Sequence, residues 1–295
     1  MWKAFLHFTR PHTIIGTTLS VAGLYLIALA WVGDVPAQLG RLAWALVACL
    51  GANIYIVGLN QLTDVDIDRI NKPYLPLASG AFSMQTGRLL IGVSLAIALA
   101  VALWQGPFLA WTVGLSVLIG TLYSLPPVRL KRFHFWAAAC IFVVRGVLVN
   151  GLLFLHFQYE LAGLTSIPLH VWALMAFVFG MSIVIAWFKD IPDAEGDSRF
   201  QIATLTLRLG PDLVFKLGLY LLLVCYAGMT VAGLIGMPGV NGPALAGSHL
   251  ALGLALFLAS RRVDPKQHSE VTRFYLFVWG LFFLEYIVFA VTCWL

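Results

Sequence analysis

Residues 42–68 read LAWALVACLGANIYIVGLNQLTDVDID. From Leu42 to Thr63 no residue is charged; Asp64, Asp66 and Asp68 then follow at alternate positions. A helix needs roughly 20 mostly apolar residues to cross a hydrocarbon core about 30 Å thick. This run is that long, and its acids stand at one end only. The rest of the chain repeats the pattern. Of 295 residues, 61% are hydrophobic and 11% charged, with mean hydropathy +0.91. Soluble domains carry roughly 25% charge. The composition therefore excludes a soluble enzyme. It also excludes disorder and nucleic-acid binding, because 18 basic residues against 13 acidic form no basic stripe.

The runs are long, continuous and poor in alternation, so the expected fold is all-α rather than a barrel. Nine spans are expected, near 13–33, 42–63, 87–105, 108–123, 135–155, 171–188, 211–235, 243–260 and 272–294. The third and fourth are parted only by Gly106-Pro107. The chain reads as one polytopic domain, residues 1–295, embedded in a lipid bilayer. With nine spans, 15 of the 18 Lys and Arg residues share one side, Arg41 lies on the other, and Arg145 falls inside span five. Basic loops stay cytoplasmic, which puts the N-terminus inside and the C-terminus outside. Met1 to His12 shows no transit peptide, and the run from Thr13 is too long for a signal-peptide core. Cys49, Cys140, Cys225 and Cys293 lie in apolar stretches without paired spacing, so neither a zinc site nor a disulfide framework is expected.

Seven of the 13 acids lie in two loops on the cytoplasmic side. In the first, Asn60, Asp64 and Asp68 stand at i, i+4 and i+8, one face if the helix continues, with Asp66 turned away. In the second, Asp190, Asp193 and Asp197 stand at i, i+3 and i+7, and Glu195 diverges; Pro192 and Gly196 weaken a regular helix there. Two carboxylates ~4 Å apart repel by about 4 kcal/mol at an effective dielectric near 20. Such stacking at a membrane boundary suits Mg²⁺, which takes one or two carboxylates together with waters and phosphate oxygens. Facing clusters would clamp a diphosphate. The bland alternative is a pair of solvated acidic loops balanced by neighbouring cations.

A diphosphate also takes direct cationic contacts. Lys72 and Lys189 sit within the motifs. Arg129, Lys131 and Arg132, in the loop after Tyr123, serve either as phosphate contacts or as headgroup anchors. Arg145 is a mid-membrane charge with Asn150 nearby, and such a charge is a functional candidate by default. It binds a phosphate or an acidic substrate, or else it pairs with Glu285. His12 stands either at the site rim or in a helix-start turn. The other histidines read as interfacial. Aromatic faces lining a cavity would shield a carbocation, and Tyr123 is on the right side for this.

With these residues in place, the sequence resembles the UbiA superfamily of intramembrane prenyltransferases. The likeness spans essentially the whole chain: nine spans, the two aspartate motifs, and the Tyr-Ser-x-Pro-Pro-x-Arg-x-Lys-Arg loop from Tyr123 to Arg132. NQLTDVDIDRINKPYLPLASG (60–80), FKDIPDAEGD (188–197), FTRPHTIIGT (8–17) and VRGVLVNGLLFLHF (144–157) resemble the homogentisate prenyltransferases, the phytyltransferases of photosynthetic organisms above all. The resemblance implies nine helices around a central cavity with cytoplasmic cap loops. It implies Mg²⁺ and a prenyl diphosphate held by Asn60, Asp64 and Asp68 and by Asp190, Asp193 and Asp197. It further implies transfer of a prenyl group, phytyl before geranylgeranyl or solanesyl, to homogentisate or a related aromatic acceptor, with decarboxylation, in tocopherol and prenylquinone synthesis. A bacterial or cyanobacterial inner or thylakoid membrane is the implied location. The rival of another class is a transporter, against which stand the surface position of the acids and the lack of an inverted repeat.

Overall fold

Each long uncharged run forms a helix, because a backbone in lipid must satisfy its polar groups internally. The computed structural model describes residues 2–200 and 204–295, Glu195 and Gly196 as backbone only; within these residues no strand occurs. The helices are α1 Trp2–Thr9, α2 Pro11–Val32, α3 Leu39–Thr63, α4 Val65–Asn71, α5 Met84–Gln105, α6 Pro107–Ser124, α7 His134–Phe142, α8 Val149–Ala162, α9 Leu169–Asp190, α10 Ala194–Arg199, α11 Leu205–Leu209, α12 Pro211–Leu234, α13 Gly242–Ser260 and α14 His268–Trp294. A π-helical turn, Val143–Leu148, joins α7 to α8 into one span. Nine helices among the described residues are long and apolar enough to cross a membrane. The chain is an integral, multi-pass membrane protein.

Local chemistry sets the helix ends. Pro11, Pro107 and Pro211 open α2, α6 and α12 at the first position, where the missing N–H costs nothing. Gly106, at φ 117°, makes the short reversal between α5 and α6 that a side chain would obstruct. Ser83 caps α5, its hydroxyl accepting from the Thr86 N–H at 3.0 Å, so this helix begins before its apolar run does.

α9 is the most enclosed span, with Val171, Leu174, Val178, Met181, Val184 and Phe188 fully buried. α2, α8, α12 and α14 pack around it or against each other, while α5 turns Leu89, Ile97, Leu103 and Trp104 outward. Lipid is as apolar as leucine, so close backbone approach has to supply much of the cohesion. A Cβ on Gly146 would stand 2.7 Å from the Phe179 Cα, which is why the π-turn and α9 can touch.

Continuation of α3 through its acidic motif does not occur. The helix stops at Thr63, Asp64 leaves helical geometry at φ −120° and ψ 17°, and α4 restarts at Val65. The Asp68 N–H still donates to the Asp64 carbonyl at 2.7 Å, so the register survives the break. The second motif behaves as Pro192 and Gly196 suggest: α9 ends at Asp190, a turn follows, and α10 starts at Ala194. α4 and α10 then pack against each other across one end of the bundle.

Candidate active site

Beneath α4 and α10 lies a cavity of about 310 Å³. Stripes at helical spacing line it: Thr13, Gly16, Thr17 and Ser20 from α2, Ala52, Asn53, Ile56 and Asn60 from α3, and Thr112, Ser116, Ile119 and Tyr123 from α6. Its mouth holds Asp64 and Asp68 from the first motif and Asp190, Asp193 and Asp197 from the second, with Arg10, Lys72, Lys131 and Lys189 among them. Apolar Val21, Val113, Val149 and Leu153 form deeper wall.

The two loops are tied directly. The Lys72 ammonium donates to the Asp193 carboxylate, and the Asn71 side chain donates to the Asp193 carbonyl at 3.2 Å. Asp64 is held three ways: by Asn60 Nδ2 at 3.0 Å, by the Arg129 guanidinium at 2.8 Å, and by the Lys131 ammonium. Lys189 pairs with Asp190 at 2.7 Å. Asp66 is turned to solvent and pairs with Arg69, as its spacing indicates. Among the described residues, two that are not glycine have a positive φ, Arg10 at 51° and Arg129 at 39°. Both stand at this mouth, where such strain is tolerated when it aims a functional group.

The electrostatics of the mouth are dominated by burial. Burial pushes the Asp68 carboxyl up to about 6, with Arg10 and Lys72 pulling the other way. Burial likewise raises Asp197 to about 7 against the pull of Lys189, and lowers Lys131 to about 8 despite the Asp64 carboxylate beside it. Asp68 Oδ2 is buried without any hydrogen-bond partner.

Of the residues selected from sequence, Asn60, Asp64, Asp68, Lys72, Tyr123, Lys131, Arg145, Lys189, Asp190, Asp193 and Asp197 all line the cavity. Arg129 reaches it through Asp64. His12 does not line it; its ring packs edge-on against Trp279 at 5.0 Å. Arg132 is exposed and away from the wall. The side chain of Glu195 lies outside the described residues. Arg145 and Glu285 do not pair. Glu285 bonds to His249 on α13, whereas Arg145 stacks over Trp279 at 4.5 Å and Phe282 at 5.2 Å, both on α14. The two point to different neighbours because α14 presents Trp279 and Phe282 on one face and Glu285 on another. His156 and His249 are buried well inside their spans instead of lying at an interface, whereas His170 is buried at the start of α9.

The sequence profile of the UbiA prenyltransferase family matches residues 19–281. The chain belongs to this family. It is 48% identical to homogentisate phytyltransferase of Synechocystis sp., over 99% of this chain and 96% of that protein. It is 39% identical to homogentisate geranylgeranyltransferase of Triticum aestivum, over 96% of this chain and 71% of that one. Among solved structures it superposes on a UbiA homolog from Archaeoglobus fulgidus, bound to GPP and Mg2+, with a TM-score of 0.66, 18% identity, and coverage of 98% and 99%. At that identity the likeness speaks for the fold.

Reading the sequence missed Arg10, Asn53 and Thr204 on the cavity wall. Arg10 had a usable signal, since it stands directly before Pro11 at the entry to span one, beside the His12 that was selected. Asn53 and Thr204 had none, being single polar residues without motif context.

Proposed function

We propose that this UbiA family member transfers a prenyl group, phytyl by preference, from its diphosphate to homogentisate with loss of the acceptor's carboxyl group, as in tocopherol and prenylquinone synthesis. The observation that carries the reading is the joining of both aspartate motifs, through Lys72 and Asp193, over one cavity whose deeper wall is apolar. The acceptor is read from relatives whose names share homogentisate across two donors.

The donor set fits a divalent cation. Among the described residues, no three acidic, histidine or cysteine side chains converge closely enough to hold an ion unaided. Yet Asp68 offers a buried, unbonded carboxylate oxygen. That combination suits Mg²⁺, which completes its shell with water and phosphate oxygens. Asn60, Asp64 and Asp68 with Asp190, Asp193 and Asp197 are the residues that would hold it. When bound, it neutralises charge developing on the departing diphosphate.

The chain's own groups do the rest. Arg10, Lys72, Lys131 and Lys189 line the mouth and bind the diphosphate, which leaves with the electron pair of the broken C–O bond. Arg129, Lys131 and Asn60 fix Asp64. Tyr123 and Phe282 are aromatic rings on the cavity wall, placed to offer π-faces to the allylic cation. The enclosing helices exclude water that would quench it. A ring carbon of the acceptor forms the new C–C bond, a ring proton departs, and the side-chain carboxylate leaves as CO₂ while its CH₂ takes up a proton. The excess of Lys and Arg in the loops at this end supports a cytoplasmic position for the cap.

Mass spectrometry of the product from membranes given homogentisate and an equimolar mixture of prenyl diphosphates tests the reading. A phytylated, decarboxylated quinol is expected; no homogentisate-derived product refutes the acceptor, and a geranylgeranyl adduct replaces the donor.

A further inference from the structure

Among the described residues, Arg145 is the one charged cavity-lining residue that stands apart from the mouth. It lies 11 residues beyond His134, the first residue of its span, hence about three helical turns in. The sequence offered it Glu285 as a partner, but Glu285 is taken by His249. Among the described residues no acid pairs with Arg145, and its Nη1 has no hydrogen-bond partner at all.

Considerable structure is given over to holding this cation. Its backbone belongs to the π-helical turn Val143–Leu148, a local widening that is found preferentially at functional sites. The Asn150 side chain donates to the carbonyls of Arg145, at 2.7 Å, and Gly146, at 3.2 Å. The Tyr286 hydroxyl in turn donates to Asn150 Oδ1 at 2.7 Å. Trp279, Phe282 and Tyr286 are i, i+3 and i+7 on α14, so one face of that helix both braces the turn and carries the guanidinium. An arginine held on aromatic faces is pre-organised, and its planar fork matches a carboxylate bidentately.

We propose that Arg145 is an acceptor-specific anchor: it receives the carboxylate of the arylacetate and so holds the ring beneath the diphosphate. The inference rests on homogentisate as acceptor. A diphosphate has Arg10, Lys72, Lys131 and Lys189 at the mouth, whereas among the described residues the deeper wall offers the acceptor's carboxylate no other cation. A buried anion with no partner is strongly disfavoured. The acceptor is therefore selected by its acidic side chain, and Asn150 and Tyr286 act as positioning residues through the turn.

The experiment compares homogentisate with its methyl ester, at fixed donor, in the wild type, Arg145→Gln and Arg145→Lys. Arg145→Gln raises the KM for the acid roughly 10- to 100-fold, leaves the KM for the ester at its wild-type value, and leaves the KM for the prenyl diphosphate unchanged. Arg145→Lys keeps the charge without the fork and gives a smaller rise confined to the acid. Where the Gln variant does not accumulate in membranes, the Lys variant alone decides. An acid KM equal to wild type, or a rise in the donor KM instead, overturns the anchor while leaving the proposed reaction standing. A wild type that prenylates other aromatic acceptors but not homogentisate overturns both.

Discussion

Lys72 donates to the carboxylate of Asp193, 121 positions further along the chain, and thereby joins the two cap loops. Both groups are only partly exposed, so the pair is screened less than a surface ion pair. Lys72→Met removes the tie and a diphosphate contact together. The expected outcome is a KM for prenyl diphosphate raised by about tenfold or more, with the KM for the acceptor little changed. Steady-state kinetics with each substrate varied in turn checks it; equal rises in both constants would show instead that the cap has collapsed.

Asp64 and Asp68 differ in what they hold, so the same substitution separates their roles. Asp64 satisfies a buried Lys131 and the Arg129 guanidinium, whereas Asp68 Oδ2 bonds to nothing. Asp64→Asn strands Lys131 as a buried, half-satisfied charge and costs about 3 kcal/mol, visible as a lower Tm in detergent. Asp68→Asn replaces an unpaired buried charge with a neutral group, and Tm holds or rises. Both lose prenylation by at least about 100-fold, near 2.7 kcal/mol of barrier. An active Asp68→Asn enzyme would remove the metal role assigned to it.

Divalent metal removal gives a related result. EDTA stops turnover, Mg²⁺ restores it, and the thermal stabilisation produced by a prenyl diphosphate without acceptor disappears in EDTA. The stabilisation measures binding alone, by mass action, so it checks the shared cation independently of chemistry. Full turnover in EDTA would contradict the fit of these aspartates to a metal.

The nine spans were legible because lipid demands long uncharged runs, and their order was enough to put both aspartate motifs at one end. The motif residues were legible because like charges at helical spacing need a common ligand. The break at Asp64 was not, since nothing in Thr63-Asp64-Val65 forbids a helix; the pull of Lys131 and Arg129 on Asp64 comes from a loop far along the chain. Arg145 was legible as an unusual charge, but its partner was not. Glu285 is the only acid inside span nine and was the partner the charges suggested, whereas the structure uses aromatic faces, which sequence cannot tell apart from the many lipid-facing rings. Arg10 was not singled out, although its place directly before Pro11 at the entry to span one marks it.

His249 and Glu285 face each other at 3.2 Å, with both side chains fully enclosed and neither on the cavity wall. Breaking a buried pair by removing one partner leaves an uncompensated polar or charged group, which costs about 3–5 kcal/mol, whereas replacing both by apolar groups is often neutral. His249→Phe and Glu285→Leu should each lower the Tm and the yield of monodisperse protein in detergent, and the double variant should recover most of both. The surviving fraction of each single variant should keep wild-type KM values for donor and acceptor, because Arg145 takes its support from Trp279 and Phe282 rather than from Glu285. A selective loss of acceptor affinity in Glu285→Leu would instead tie this pair to the acceptor end of the cavity.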